Sequence, residues 1–235
     1  MPDDASPSPA LKGRSGPAVV LLHGFASSFD RTWRNNGWVD LLADEGRSVV
    51  PIDLLGHGDA DKPHDPDAYG ALESEVAARL PEAPVDAVGF SLGARVLLGV
   101  AADHPGRFRR IVVAGVGDNL FRNDDSGAIA RAVAEGADEN DRIGQHFEQL
   151  ASGDGNDRLA LAACLRRPAP KLGADELAAI HCPVLVVLGD RDFAGPADPL
   201  LAALPDARLV TLRGVDHFAT PKAMGFLHAT LRFLA

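Results

Sequence analysis

Short apolar runs alternate along this chain with longer segments whose apolar positions recur every three or four residues. The runs Pro17–Leu22, Val85–Phe90, Phe108–Val116 and Pro183–Leu188 place apolar side chains at neighbouring positions, as in a strand covered on both faces. Ser48–Leu54 and Ala207–Leu212 have the looser alternation of strands nearer an edge. Between them, helical periodicity predicts helices near Trp38–Ala43, Ala68–Leu80 and Leu92–Ala102, and a last one beginning near Pro221. Strand and helix in regular alternation predict an α/β fold, with a doubly wound, mostly parallel sheet of about six strands and helices on both faces. From Gly117 to Ala179 the rhythm changes. That stretch is acidic, rich in Gly and Ala, and broken at Ser126-Gly127, Gly136, Ser152–Gly155 and Pro168–Pro170. Short amphipathic helices are expected there near Ala128–Ala134, Ile143–Leu150 and Arg158–Leu165.

With 235 residues, 46% of them hydrophobic, the chain can bury one substantial core as a single domain. A net charge of −10 argues against nucleic-acid partners and against an anionic membrane surface. No run approaches the length of a membrane span, and the acidic start Met1–Ala5 does not read as a signal peptide. The expected setting is therefore cytoplasmic. Cys164 and Cys182 are too few for a disulfide framework and are expected as free, buried thiols.

The chemistry begins at Gly89-Phe90-Ser91-Leu92-Gly93. An apolar run, a Gly-x-Ser-x-Gly turn and a helical pattern predict strand, sharp turn and helix. That turn lifts the Ser91 hydroxyl clear of the sheet and puts backbone N–H groups at a helix start, where negative charge is favoured. A side chain at Gly89 or Gly93 would collide with the tight strand–helix crossing. A serine nucleophile also needs a base, an orienting acid and an oxyanion hole. His217, on a loop after the alternating strand Ala207–Leu212, is the candidate base. The acid is Asp190 or Asp192, in Gly189-Asp190-Arg191-Asp192 after the preceding strand, and the other aspartate caps the loop. The first buried strand ends in His23-Gly24-Phe25, where the glycine lets the backbone pass close to the nucleophile and present the next N–H.

These strand-end signatures, in the order Ser…Asp…His with His-Gly-Phe ahead of them, resemble the α/β-hydrolase superfamily, in its serine-hydrolase, esterase-like branch. Asp53-Leu54-Leu55-Gly56-His57-Gly58 is similar to that family's Asp-x-x-Gly-His-Gly loop, and the resemblance covers about residues 17–116 and 181–235. It implies Asp192 as the acid, the N–H groups of Phe25 and Leu92 as oxyanion donors, and no cofactor or metal. It also implies a division into a core at 17–116 and 180–235, a small helical cap at 117–179, and a flexible lead-in at 1–16. Two departures stand out. The N-terminal segment is rich in Pro and Gly, so the family's opening hairpin is expected to be reduced or absent, leaving the Ser48–Leu54 strand as an open edge that a second copy could cover. Asp216 stands where relatives often carry glycine before the base.

The expected activity is cleavage of a small carboxylester through an acyl-enzyme, on a small-molecule substrate. The same constellation also serves C–C bond hydrolases or lyases, perhydrolases, and non-catalytic ligand-binding members of the fold. Serine rather than aspartate at position 91 sets the chain apart from the dehalogenase and epoxide-hydrolase branches. Trp33, Phe193 and Phe218 are candidate substrate-binding residues, whereas Trp38 is expected on a packed helix face. Arg95 could reach an acidic substrate but more often satisfies carbonyls. His57, Asp59, Asp61, His64, Asp65 and Asp67 match no metal motif and are read as a solvated loop.

Overall fold

A computed structural model describes residues 16–122 and 126–235. The strands are β1 (Gly16–Leu22), β2 (Arg47–Ile52), β3 (Val85–Phe90), β4 (Phe108–Ala114), β5 (Val184–Gly189) and β6 (Ala207–Leu212). They form one parallel sheet in the order β2-β1-β3-β4-β5-β6. The helices are α1 (Phe29–Thr32), α2 (Trp38–Asp44), α3 (Leu72–Ala78), α4 (Leu92–Asp103), α5 (Ser126–Glu135), α6 (Arg142–Ala151), α7 (Arg158–Leu165), α8 (Ala174–Ala178), α9 (Asp198–Ala203) and α10 (Met224–Leu234).

Period-two geometry sorts each strand's side chains onto two faces, and both faces are apolar. On one, Val20, Leu22, Ala87, Ile111, Val113, Val184 and Val186 pack with α3, α4, α8 and α9. On the other, Val19, Leu21, Val88, Val112, Leu185 and Val187 pack with Trp38 and Leu42 of α2 and Phe226 and Leu227 of α10. Of residues 1–16, expected as the flexible lead-in and the place of any reduced hairpin, 1–15 lie outside the described residues and Gly16 begins β1. Within the described sheet, β2 is an outermost strand, and Pro51 in it lacks the N–H that an added strand would need.

The insertion between β4 and β5 carries α5, α6 and α7, within a few residues of the expected helices. Asp141 caps α6 by accepting from the Gly144 N–H at 2.8 Å, and Asp157 caps α7 through the N–H groups of Leu159 and Ala160. The three share a small apolar cluster with Phe25 and Ala26, separate from the sheet's cores. Beyond them, Leu177 of α8 is fully buried in the main core. A buried bidentate pair, Arg167 with Glu73 at 2.7 and 2.8 Å, ties the connector after α7 to α3.

Candidate active site

The chain leaves β1 toward β2 on one side of the sheet and later returns to place β3 on the other. Open α/β sheets hold their ligands beyond the carboxyl ends of the strands at such a reversal, which here falls between β1 and β3. In register, Leu22 of β1 stands beside Gly89 of β3, which brings the loops that follow them together.

Ser91 links β3 to α4 with φ +52° and ψ −113°, a backbone conformation that side-chain-bearing residues seldom adopt. Its own N–H donates to the Ala114 carbonyl at 2.8 Å, which fixes the turn. Glycine is required on both sides. A Cβ on Gly89 would meet the Ala94 backbone nitrogen at 2.8 Å, and one on Gly93 would stand 2.5 Å from the His23 carbonyl oxygen.

His217 lies 126 residues away along the chain, yet its Nε2 is 2.9 Å from the Ser91 Oγ. Its Nδ1 faces the Asp192 carboxylate at 2.9 and 3.1 Å. The imidazole and the carboxylate are buried, and Asp192 also accepts from the Ala194 N–H at 2.8 Å. Asp190 points elsewhere and accepts from the Gly214 N–H at 2.7 Å, which fastens the loop carrying His217. Asp216 is exposed and accepts from the Ala219 N–H, capping the turn after His217 and leaving the imidazole to Asp192.

Leu92 is the first residue of α4, so its N–H has no carbonyl one turn earlier to bind. Gly24 lets the chain pass closely over the nucleophile turn: a Cβ there would strike the Phe90 ring at 2.8 Å. The Phe25 N–H follows directly. Beneath this loop, His23 is fully buried, bonded through Nδ1 to the Gly24 carbonyl and accepting from the Leu54 N–H through Nε2. Burial holds its imidazole below the ordinary histidine range. His57 was expected in a solvated loop, and the structure corrects this. It is fully buried against Phe25 and His23, and burial pushes its pKa down to about 3. The polar loop around it gave no sign that the ring folds inward. His64 remains exposed and meets Asp157 at 2.9 Å.

Phe193 and Phe218 stand beside His217, their ring centroids 4.4 and 5.2 Å from its own. Trp33 does not join them. It is fully buried, edge-on to Trp38 at 4.9 Å and near Phe226, in the core under α2 and α10. Arg95 reaches the Asn119 carbonyl. His146 and Phe147 of α6, which were not among the expected site residues, touch Phe218 and Phe25 respectively. The usable signal was the spacing Ile143, Phe147, Leu150, an apolar stripe with His146 on its flank.

A hydroxyl, an imidazole and a carboxylate in one hydrogen-bonded row can move a proton off the hydroxyl and hold the resulting imidazolium. The same arrangement lies within a known family. The α/β-hydrolase family model matches residues 19–227, and this chain belongs to that family. Among curated proteins, a pimeloyl-[acyl-carrier protein] methyl ester esterase of Aeromonas hydrophila is 30% identical, covering 86% of this chain and 89% of the relative. A pyrrolizixenacetamide deacetylase of Xenorhabdus hominickii is 33% identical over 121 residues, and the match spans 42% of that protein's length. Among solved structures, an enol-lactonase from Burkholderia xenovorans superposes with a TM-score of 0.69 at 23% identity, covering 94% of this chain and 92% of that one.

Proposed function

We propose that this protein is a serine hydrolase that cleaves a small carboxylester through an acyl-enzyme. Ser91 attacks the ester carbonyl while His217 Nε2 takes its proton. Asp192 holds the imidazole in the tautomer with its proton on Nδ1 and stabilises the imidazolium. The N–H groups of Phe25 and Leu92 receive the developing oxyanion. His217 then returns the proton to the departing alcohol oxygen, and water, activated by the same imidazole, releases the acid. The reading takes a small-molecule substrate, no cofactor and a cytoplasmic setting.

One observation carries it: the unbroken row Asp192–His217–Ser91, with spacings of 2.9 Å at both links and the serine on a strained turn. The Aeromonas relative, whose name is that of a methyl ester esterase, lends support from sequence. The test uses p-nitrophenyl acetate and a fluorophosphonate probe. Wild type should hydrolyse the ester and be labelled at Ser91, and Ser91→Ala should lose both label and about 10³–10⁶-fold in rate. A Ser91→Ala protein that kept a tenth of the activity would overturn the reading.

A further inference from the structure

The rings around the candidate triad fall into two groups joined by one helix. Phe218 and Phe193 stand beside His217, 6.0 Å from each other, while Phe25 belongs to the oxyanion loop. His146 of α6 packs against Phe218 with centroids 3.8 Å apart and the rings tilted 43°, and its neighbour Phe147 meets Phe25 at 5.6 Å. The helix thus spans the site from the base loop to the oxyanion loop.

Within this wall, His146 Nε2 is shut off from solvent and has no hydrogen-bond partner among the described residues. Buried polar atoms in folded proteins nearly always have one, because an unpaired nitrogen forfeits its hydration for nothing. A residue needed only to cover Phe218 could be Leu or Phe. An imidazole there calls for a partner that the described residues do not supply.

The reaction fixes what lies nearby. The leaving oxygen takes its proton from His217, so the alcohol part of an ester sits on the His217 side, where Phe193 and Phe218 lie. The carbonyl oxygen lies on the other side, toward the Phe25 N–H.

We infer that His146 is a substrate-binding residue that reads the leaving group: Nε2 hydrogen-bonds an oxygen carried by a flat, largely apolar alcohol or phenol stacked against Phe193 and Phe218. This rests on the ester-hydrolase reading above and narrows it to esters of oxygen-substituted aryl or similarly flat alcohols. Phe218, 37% exposed, is the ring that turns to admit that oxygen. Sites built to hydrogen-bond a substrate group discriminate strongly against analogues that lack it.

The experiment compares phenyl acetate with 3-acetoxybenzoate, 4-acetoxybenzoate and 3-hydroxyphenyl acetate, reading the ratio of kcat/KM for each oxygenated ester to that for phenyl acetate. His146→Phe keeps the ring contact and removes the nitrogen. For at least one oxygenated ester the ratio should fall about tenfold to hundredfold, mainly through KM. His146→Gln should recover part of that loss. A ratio equal in wild type and His146→Phe would overturn the inference, as would Gln and Phe variants that behave alike. A binding arm separates this from the hydrolase reading. On a Ser91→Ala background, calorimetry should show weaker binding of the preferred ester when His146→Phe is added. If wild type turned over no ester at all, the hydrolase reading would fail by itself. Equal Kd values in the binding arm would then overturn the role of His146.

Discussion

The carbonyl oxygen of His23 lies 2.5 Å from where a Cβ on Gly93 would stand, so α4 and the loop after β1 touch backbone to backbone. That contact sets the distance between Ser91 and the Phe25 N–H. In an unobstructed helix, Gly→Ala stabilises by about 1 kcal/mol. At Gly93 the added methyl meets backbone on β1 that has no room to yield, and overpacking of this kind destabilises by about 1–3 kcal/mol. Gly93→Ala should therefore lower the urea midpoint. It should also reduce kcat/KM by about a hundredfold or more, because a shift near 1 Å misplaces the oxyanion donors. An unchanged midpoint together with unchanged kcat/KM would contradict this account.

Asp190 and Asp192 lie in one turn yet serve different partners, the Gly214 N–H and His217. Asp192→Asn should lower kcat by about 10⁴, because an amide facing Nδ1 favours the wrong imidazole tautomer. Asp190→Asn keeps an oxygen able to accept from Gly214 and should lose less than about tenfold. Steady-state kinetics on both variants checks the order, and equal losses would count against the assignment.

Two buried neutral histidines give stability a pH dependence of defined sign. The pKa of His57 falls to about 3 on folding, and that of His23 is lowered as well. The unfolded chain, with histidines near 6.5, binds more protons below that value, so stability falls as pH drops from about 6.5 toward 3. His57 alone should remove about 2 kcal/mol between pH 7 and pH 5. Urea titrations at the two values measure this, and His57→Gln should flatten the dependence. A variant with an undiminished pH slope would argue against His57 as its source.

Glu73 and Arg167 are both buried, so the loss of one charge should harm more than the loss of two. Arg167→Met strands the Glu73 carboxylate and should destabilise by about 3–5 kcal/mol. The double change Glu73→Leu with Arg167→Met should recover most of that. Chemical denaturation of the single and double variants gives the comparison, and additive losses would refute it.

Much of the fold was legible because strands buried on both faces leave an unambiguous run. Val85–Phe90, buried throughout, and the alternating edge strand Ala207–Leu212 were read with the observed limits. Ser91 and His217 were legible as candidates because each follows a strand in a short turn. Side-chain direction in irregular segments was not. Trp33 sits where the four-residue α1 gives way to the next turn, too short a helix to show a face, and so its core position was hidden. His57 lies among Asp, Gly and Lys, and only its packing on Phe25 and His23 reveals it as interior. His146 was missed because a polar residue beside an apolar stripe looks solvent-facing until the partner loop is known.

The hydrogen bond from His217 to Ser91 bridges 126 residues, and its two ends arrive at very different moments of synthesis. Once β3, α4 and β4 have left the ribosome, the Ser91 turn has its backbone partners, the Ala114 carbonyl included, but neither His217 nor Asp192. Those come only after β5 and then β6 have paired onto the growing sheet edge. The nascent chain therefore carries Ser91 without its imidazole and carboxylate neighbours until the last strand docks.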